Sequence, residues 1–211
     1  MKVILFILLF LHSKVCYCYS DPSTWDTKKT NSIKYLVNFI ANREKFVEYC
    51  YRDGDGFSIG WGDFSWCQES IDNMKFKNPL LKLIPDDILR KKVRITEAQA
   101  RWRLKKFVIN VYDKLEKMID INQFDEIELT GLIDFIYTIG ETKFYNKTTL
   151  VKLIRSFSAE LKYNTKTCLQ FRKAFLDWSK MKKDGKLILA KGVENRRKSE
   201  VEFFLYKKCV F

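Results

Sequence analysis

The chain has 211 residues, a formal charge of +13, 46% hydrophobic and 31% charged residues. That is enough for one domain, or two closely packed lobes, with a real core, and it excludes a disordered chain. A surface this basic accumulates on polyanions such as bacterial envelopes, nucleic acids or anionic lipids, or simply keeps the protein soluble.

The N-terminus reads as a targeting segment. Lys2 supplies a positive start, Val3 to Leu11 is a short apolar run, and Cys18-Tyr19-Ser20 forms a small-x-small cleavage site before Asp21. The run is too short to span a bilayer. Residues 1–20 are therefore expected to be a signal peptide, and 21–211 an exported protein without stable membrane insertion. Export disfavours nucleic acid as a partner, and no nucleic-acid-binding motif is present. The single histidine, His12, leaves with the leader. Ser-His and Cys-His nucleophiles and histidine-ligated zinc are then excluded. No metal or cofactor is expected, and carboxylate acid/base chemistry heads the remaining strategies.

The first predicted helix carries the stripe Ile33, Leu36, Val37, Ile40, Glu44 and Val47, with Ser32 available as N-cap. Glu44 interrupts this apolar face. It is either a surface acid paired with Lys45 or Arg43, or a carboxyl set in a cleft, where poor solvation would raise its pKa. Asp53 follows at the predicted helix exit, in a turn beside Gly54. Phe57-Ser58-Ile59 and Phe64-Ser65-Trp66 alternate as a small hairpin would. Ser58 offers a hydroxyl to hold a water. Asp55 adds a charge beside Asp53 and is a substitute for it if the loop register differs. Two carboxylates in unlike surroundings are what glycosidic cleavage requires: one keeps a proton to give, the other stays ionised.

Residues 68–94 carry little pattern beyond a short helix near Pro85 to Lys91. Thr96-Glu-Ala-Gln99 is a capping box. It opens a long helix with the stripe Ala100, Leu104, Phe107, Val108, Val111, Leu115 and Met118, suited to connect two lobes. Further helices are predicted over Phe124–Ile139, Thr148–Lys162, Cys168–Lys180 and Glu194–Lys207. The Asp184-Gly185 turn and Gly192 separate the last two. Asn146-Lys-Thr148 is a glycosylation sequon in a predicted loop. After leader removal Cys50, Cys67, Cys168 and Cys209 remain. Two disulfides with three possible connectivities follow, and Cys50–Cys67 with Cys168–Cys209 is favoured. Among the tryptophans Trp61 is the best placed to stack on a sugar; the others read as packing.

These motifs resemble glycoside hydrolase family 24, the phage-type lysozymes and endolysins. Glu44 and Asp53 stand at the family's acid spacing, Tyr51-Arg52-Asp53 matches its Tyr-Arg-Asp, and Ile59-Gly60-Trp61-Gly62 matches its Ile-Gly-x-Gly. Ile95 to Ala100, Leu132 to Phe135 with Ile139-Gly140, Phe144 with Thr148 to Leu150, Phe175-x-x-Trp178, Gly185-Lys186 and Gly192 to Glu200 follow in order. The resemblance implies an α+β, mostly α fold: a lysozyme-like, two-lobed domain with a small β-hairpin sheet and a long connecting helix. The small lobe is expected at about 40–95 and the helical lobe at about 96–211. It implies a monomeric, secreted muramidase that acts on peptidoglycan with inversion. Glu44 is its proton donor, Asp53 positions water or steadies the oxocarbenium-like centre, Ser58 stands where the family has its catalytic Thr, and Arg196 pairs with Glu44. Several positions depart from the family. Asp53 and Ser58 are one residue closer than usual, Ser58 replaces Thr, Asp63 replaces His and Thr138 replaces Asn. Two other readings therefore stand beside the enzyme: a glycan-binding protein that has lost catalysis, and a cationic membrane-active protein.

Overall fold

The computed structural model describes residues 27–53, 56–156, 164–183, 186–206, 208 and 209. The expected leader, Trp25 and Asp55 lie outside them.

Helix α1 (Thr27–Arg43) buries Ile33, Leu36, Val37, Ile40 and Ala41 on one stripe, the spacing that 3.6 residues per turn requires. Ser32 is not its cap; it is buried inside the helix. The helix also stops sooner than the stripe suggests. Glu44 is the first residue beyond it, and Val47 opens strand β1 (Val47–Asp53). The aromatic and branched run Val47-Glu-Tyr-Cys-Tyr51 favours a strand over another helical turn.

β1 pairs antiparallel with β2 (Gly56–Gly60), Tyr51 opposite Ser58 and Asp53 opposite Gly56. The hairpin thus forms one strand earlier than the sequence suggests, and Asp53 ends a strand rather than a helix. Phe64-Ser65-Trp66 is not its second strand. After β2 the chain reverses through Gly60-Trp61-Gly62, closed by Asp63 N–H donating to the Ile59 carbonyl at 2.9 Å. Gly60 and Gly62 have φ of 68° and 106°, a region side chains rarely tolerate. Helix α2 (Trp66–Lys77) follows, absent from the sequence reading, with the Ser65 and Trp66 amides donating to Asp63 Oδ1 at 2.8 and 3.1 Å. The Cys50–Cys67 disulfide fastens it to β1. Helix α3 (Asp86–Arg90) falls where expected.

Helix α4 (Glu97–Met118) opens on the expected capping box of Thr96 and Gln99 and buries Ala100, Leu104, Val108, Val111 and Leu115. It packs against α1 and against α5 (Glu126–Ile139). α5 is the central helix, buried along nearly its whole length from Glu128 to Ile136. Gly131 lets it meet α9 (Lys191–Phe204): a Cβ there would stand 2.4 Å from the Glu200 carbonyl oxygen and 2.7 Å from the Phe204 nitrogen. Between them run α6 (Glu141–Lys147), α7 (Thr149–Ser156), α8 (Thr165–Leu176) and the hairpin of β3 (Lys180–Lys183) with β4 (Lys186–Leu189). α6 places Asn146 on an exposed helical turn, not in a loop. The β3/β4 hairpin replaces the helical end expected at Lys180; its Asp184-Gly185 turn lies outside the described residues. So does the far part of the helix expected to reach Lys162. A Cys168–Cys209 disulfide ties α8 to the chain end. Both disulfides have the favoured connectivity.

Candidate active site

Three helices converge on one guanidinium. Arg196, on α9, donates to Glu44 Oε1 at 2.5 Å, to Asp134 Oδ1 at 2.6 Å and to Glu200 Oε1 at 3.2 Å. Glu44 enters from the end of α1, Asp134 from the middle of α5 and Glu200 from one turn further along α9. Arg43 adds a second cation to Asp134 at 3.5 Å. Arg197 is ion-paired with Glu200 Oε2 at 2.9 Å and donates to Thr138 at 2.5 Å. Burial works to lower the pKa of Arg196, but Asp134 and Glu44 outweigh it and raise it, so this cation keeps its charge. Burial pushes Glu200 up to about 8, with Arg197 and Arg196 pulling against it. Glu44 is therefore not the water-free acid of an apolar stripe. Its side chain is 24% exposed, because the helix ends before it and turns it toward α9. Neither Lys45 nor Arg43 is its partner; Arg196 is, as the family resemblance implies.

The second carboxylate is built locally. Ser58, wholly buried on β2, donates to Asp53 Oδ2 at 2.9 Å across the hairpin. Its hydroxyl thus holds the acid itself. Tyr51, opposite Ser58, joins this side to Glu44. Its pKa is raised by burial first, then by Asp53 and, more weakly, by Glu44. Tyr137 does the same from α5. Burial and then Glu44 and Asp63 raise its pKa, while its hydroxyl donates to the Trp61 carbonyl at 2.7 Å. Both tyrosines thus feel Glu44, Tyr51 together with Asp53 and Tyr137 together with Asp63.

A groove of about 690 Å³ opens between the hairpin turn and α4, lined among others by Trp61, Asp63, Arg103, Phe107, Tyr137 and Glu141. That is within the range of small-ligand sites. Glu44, Asp53 and Ser58 are not on its wall; it includes Ile59, next in sequence to Ser58, and Tyr137, whose pKa Glu44 raises. Asp63 is ion-paired with Arg103. Burial would raise its pKa, but Arg103 and the Ser65 and Trp66 amides hold it below the carboxylate range. Trp61 lines the groove but leaves little surface free for stacking. It is 6% exposed, folded by its glycine turn onto Phe46 at 5.4 Å and covered by Arg101. Among the described residues Trp102 is the exposed tryptophan, with Lys106 over its ring at 4.1 Å. Among the described residues no cluster of three His, Cys, Asp or Glu could hold a metal ion. No described helix is long and apolar enough to cross a membrane.

Sequence reasoning gave Asp134, Tyr51, Arg197 and Glu200 no functional role. Asp134 had a signal, an acid inside the apolar run Leu132 to Ile136. Glu200 had another, an acid three and four residues after adjacent arginines.

A mostly helical domain with a small hairpin and paired acids at its junction defines a lysozyme-like fold. The phage lysozyme profile matches residues 41–200, and the chain belongs to that family. The fold is similar to the muramidase domain of SpmX from Asticaccaulis excentricus, at 16% identity and a TM-score of 0.55, covering 82% of this chain and 95% of that one. An endolysin from Escherichia coli O157:H7 phage FAHEc1 aligns at 19% identity and a TM-score of 0.46, over 82% and 91%. No curated protein matches.

Proposed function

We propose that this protein is a secreted lysozyme that hydrolyses the β-1,4 bond between N-acetylmuramic acid and N-acetylglucosamine in bacterial peptidoglycan. The observation that carries the reading is Glu44, held by Arg196 at 2.5 Å, with the Asp53–Ser58 pair on the hairpin that follows it. Membership of the phage lysozyme family supports it. Glu44 gives its proton to the glycosidic oxygen as the bond to the anomeric carbon breaks. Asp53, fixed by Ser58, takes a proton from the water that attacks the opposite face, and the product is inverted. Arg196 divides its charge among Glu44, Asp134 and Glu200, so it orients Glu44 without belonging to it alone. Residues 1–20 are a leader in this reading, 40–95 a small lobe and 96–211 a helical lobe.

The test is a digest of purified peptidoglycan with analysis of the muropeptides released. Reducing N-acetylmuramic acid ends of inverted configuration are expected. A second reading, glycan binding without turnover, draws on the burial of Ser58, which leaves its hydroxyl on Asp53 rather than on a water. Binding to intact walls with no reducing ends released would select it.

A further inference from the structure

The corner after α2 is built unlike the rest of the surface. Phe76, Leu80 and Leu83 are 84%, 74% and 85% exposed. Leu80 and Leu83 lie on a single 3-10 turn, Pro79–Leu83, where residues three apart share a face. Their neighbours Leu81 and Ile84 pack on the core, so the outward leucines are not a misfolded edge of it. Between residues 74 and 94 there are seven Lys or Arg and two Asp. Both acids are already engaged: Asp86 by Lys75 at 2.5 Å, tying α2 to α3, and Asp87 by Arg90. Lys77, Lys82, Lys91 and Lys92 are exposed.

Bulky apolar side chains that are largely exposed, interleaved with cations, match the boundary of an anionic bilayer. There acyl chains take the apolar groups and headgroups take the charge. A second copy of this chain is a poor occupant, because it would bring two faces of like charge together. We propose that this corner, Phe76, Leu80 and Leu83 with Lys77 and Lys82, is a peripheral anchor for anionic lipid membranes. It does not depend on the hydrolase reading.

The experiment uses the full chain with vesicles of phosphatidylglycerol and phosphatidylcholine whose acyl chains carry bromine. Phe76→Trp places a reporter at the corner, and its emission should be quenched beyond that of the wild type. Replacing Phe76, Leu80 and Leu83 together by Ser should weaken vesicle binding at least about tenfold. Lys77→Gln and Lys82→Gln should each cost about fivefold, and the cost should vanish in high salt. All three apolar side chains are exposed, so melting temperature and peptidoglycan hydrolysis should not change. Vesicle binding with no added quenching at position 76 would overturn the proposal, since another surface would then carry the contact. So would equal affinity for pure phosphatidylcholine. Loss of a dimer in the Ser variant, seen by sedimentation without loss of vesicle binding, would instead assign the corner to self-association.

Discussion

The two acids of the candidate site are held in opposite ways. Asp53 is fixed by Ser58, five residues away on the same hairpin. Glu44 is fixed by Arg196, 152 residues away, which is itself gripped by acids from α5 and α9. The hairpin forms its half of the site by pairing within one short stretch of chain. The helical half exists only when α1, α5 and α9 are docked. One acid therefore reports on a turn and the other on the whole fold, and substitutions should separate the two.

The largest effect should come from the acid itself. Glu44→Gln keeps the shape and the bond to Arg196 but removes the transferable proton. Release of reducing ends from peptidoglycan should fall by about 10²–10⁴-fold, with thermal stability close to wild type. Hydrolysis at the wild-type rate would remove Glu44 from its role and leave the hairpin acid as the only candidate.

Next is the support beneath it. Asp134 is 1% exposed and touches both Arg196 and Arg43. Asp134→Ala strips two partly buried cations of a partner. Breaking a fully buried pair typically costs about 3–5 kcal/mol. The partial exposure of both arginines puts this loss at the low end of that range or below. The urea midpoint should drop accordingly, and hydrolysis should fall with it even though Asp134 is absent from the groove wall. A variant that keeps full stability would show that the helical half is looser than its distances imply.

This contrast also explains what the sequence could and could not reveal. The capping box at Thr96, the stripe of α4 and the disulfide pairing rest on local chemistry or simple spacing, and all were legible. The end of α1 was not. Glu44 and Val47 continue the helical spacing of Ile40, and only the competing strand run Val47 to Tyr51 breaks it. The hairpin was legible as an element but displaced by one strand, because Phe64-Ser65-Trp66 alternates as convincingly as Val47 to Asp53. Trp61 looked exposed because the glycines around it mark a turn; that turn folds the indole inward. The Asp134–Arg196–Glu200 web joins three distant segments, so no window of sequence contains it. The resemblance supplied the Glu44–Arg196 contact, but not the acids behind the arginine.

A subtler probe of the helical half is its response to pH. The native state holds a proton on Glu200 up to about 8, against an ordinary value of 4.5. Below about 4.5 both native and unfolded chains are protonated there, and the group's favourable contribution is complete. Between 4.5 and 8 the unfolded chain has released a proton that the native one still binds, so stability declines as pH rises. Glu200→Gln cannot release that proton. Its melting temperature should lose less than the wild type's between pH 5 and 8. Parallel curves would mean that Arg196 and Arg197 hold Glu200 ionised and that the web is fully charged.

The smallest effect belongs to the hairpin. Ser58→Ala deletes one buried donor to Asp53, which typically costs about 1 kcal/mol. If that hydroxyl only orients the acid, hydrolysis should fall by about tenfold or less, and the hairpin should persist because its backbone pairing is untouched. Ser58→Thr restores the family's usual residue and keeps the hydroxyl, but adds a methyl where the side chain is wholly buried. Overpacking of that kind costs about 1–3 kcal/mol. The Thr variant should therefore be less stable than wild type yet hydrolyse better than the Ala variant. A Thr variant as stable as wild type would show spare room beside Asp53, and the serine would then have no packing reason to be there.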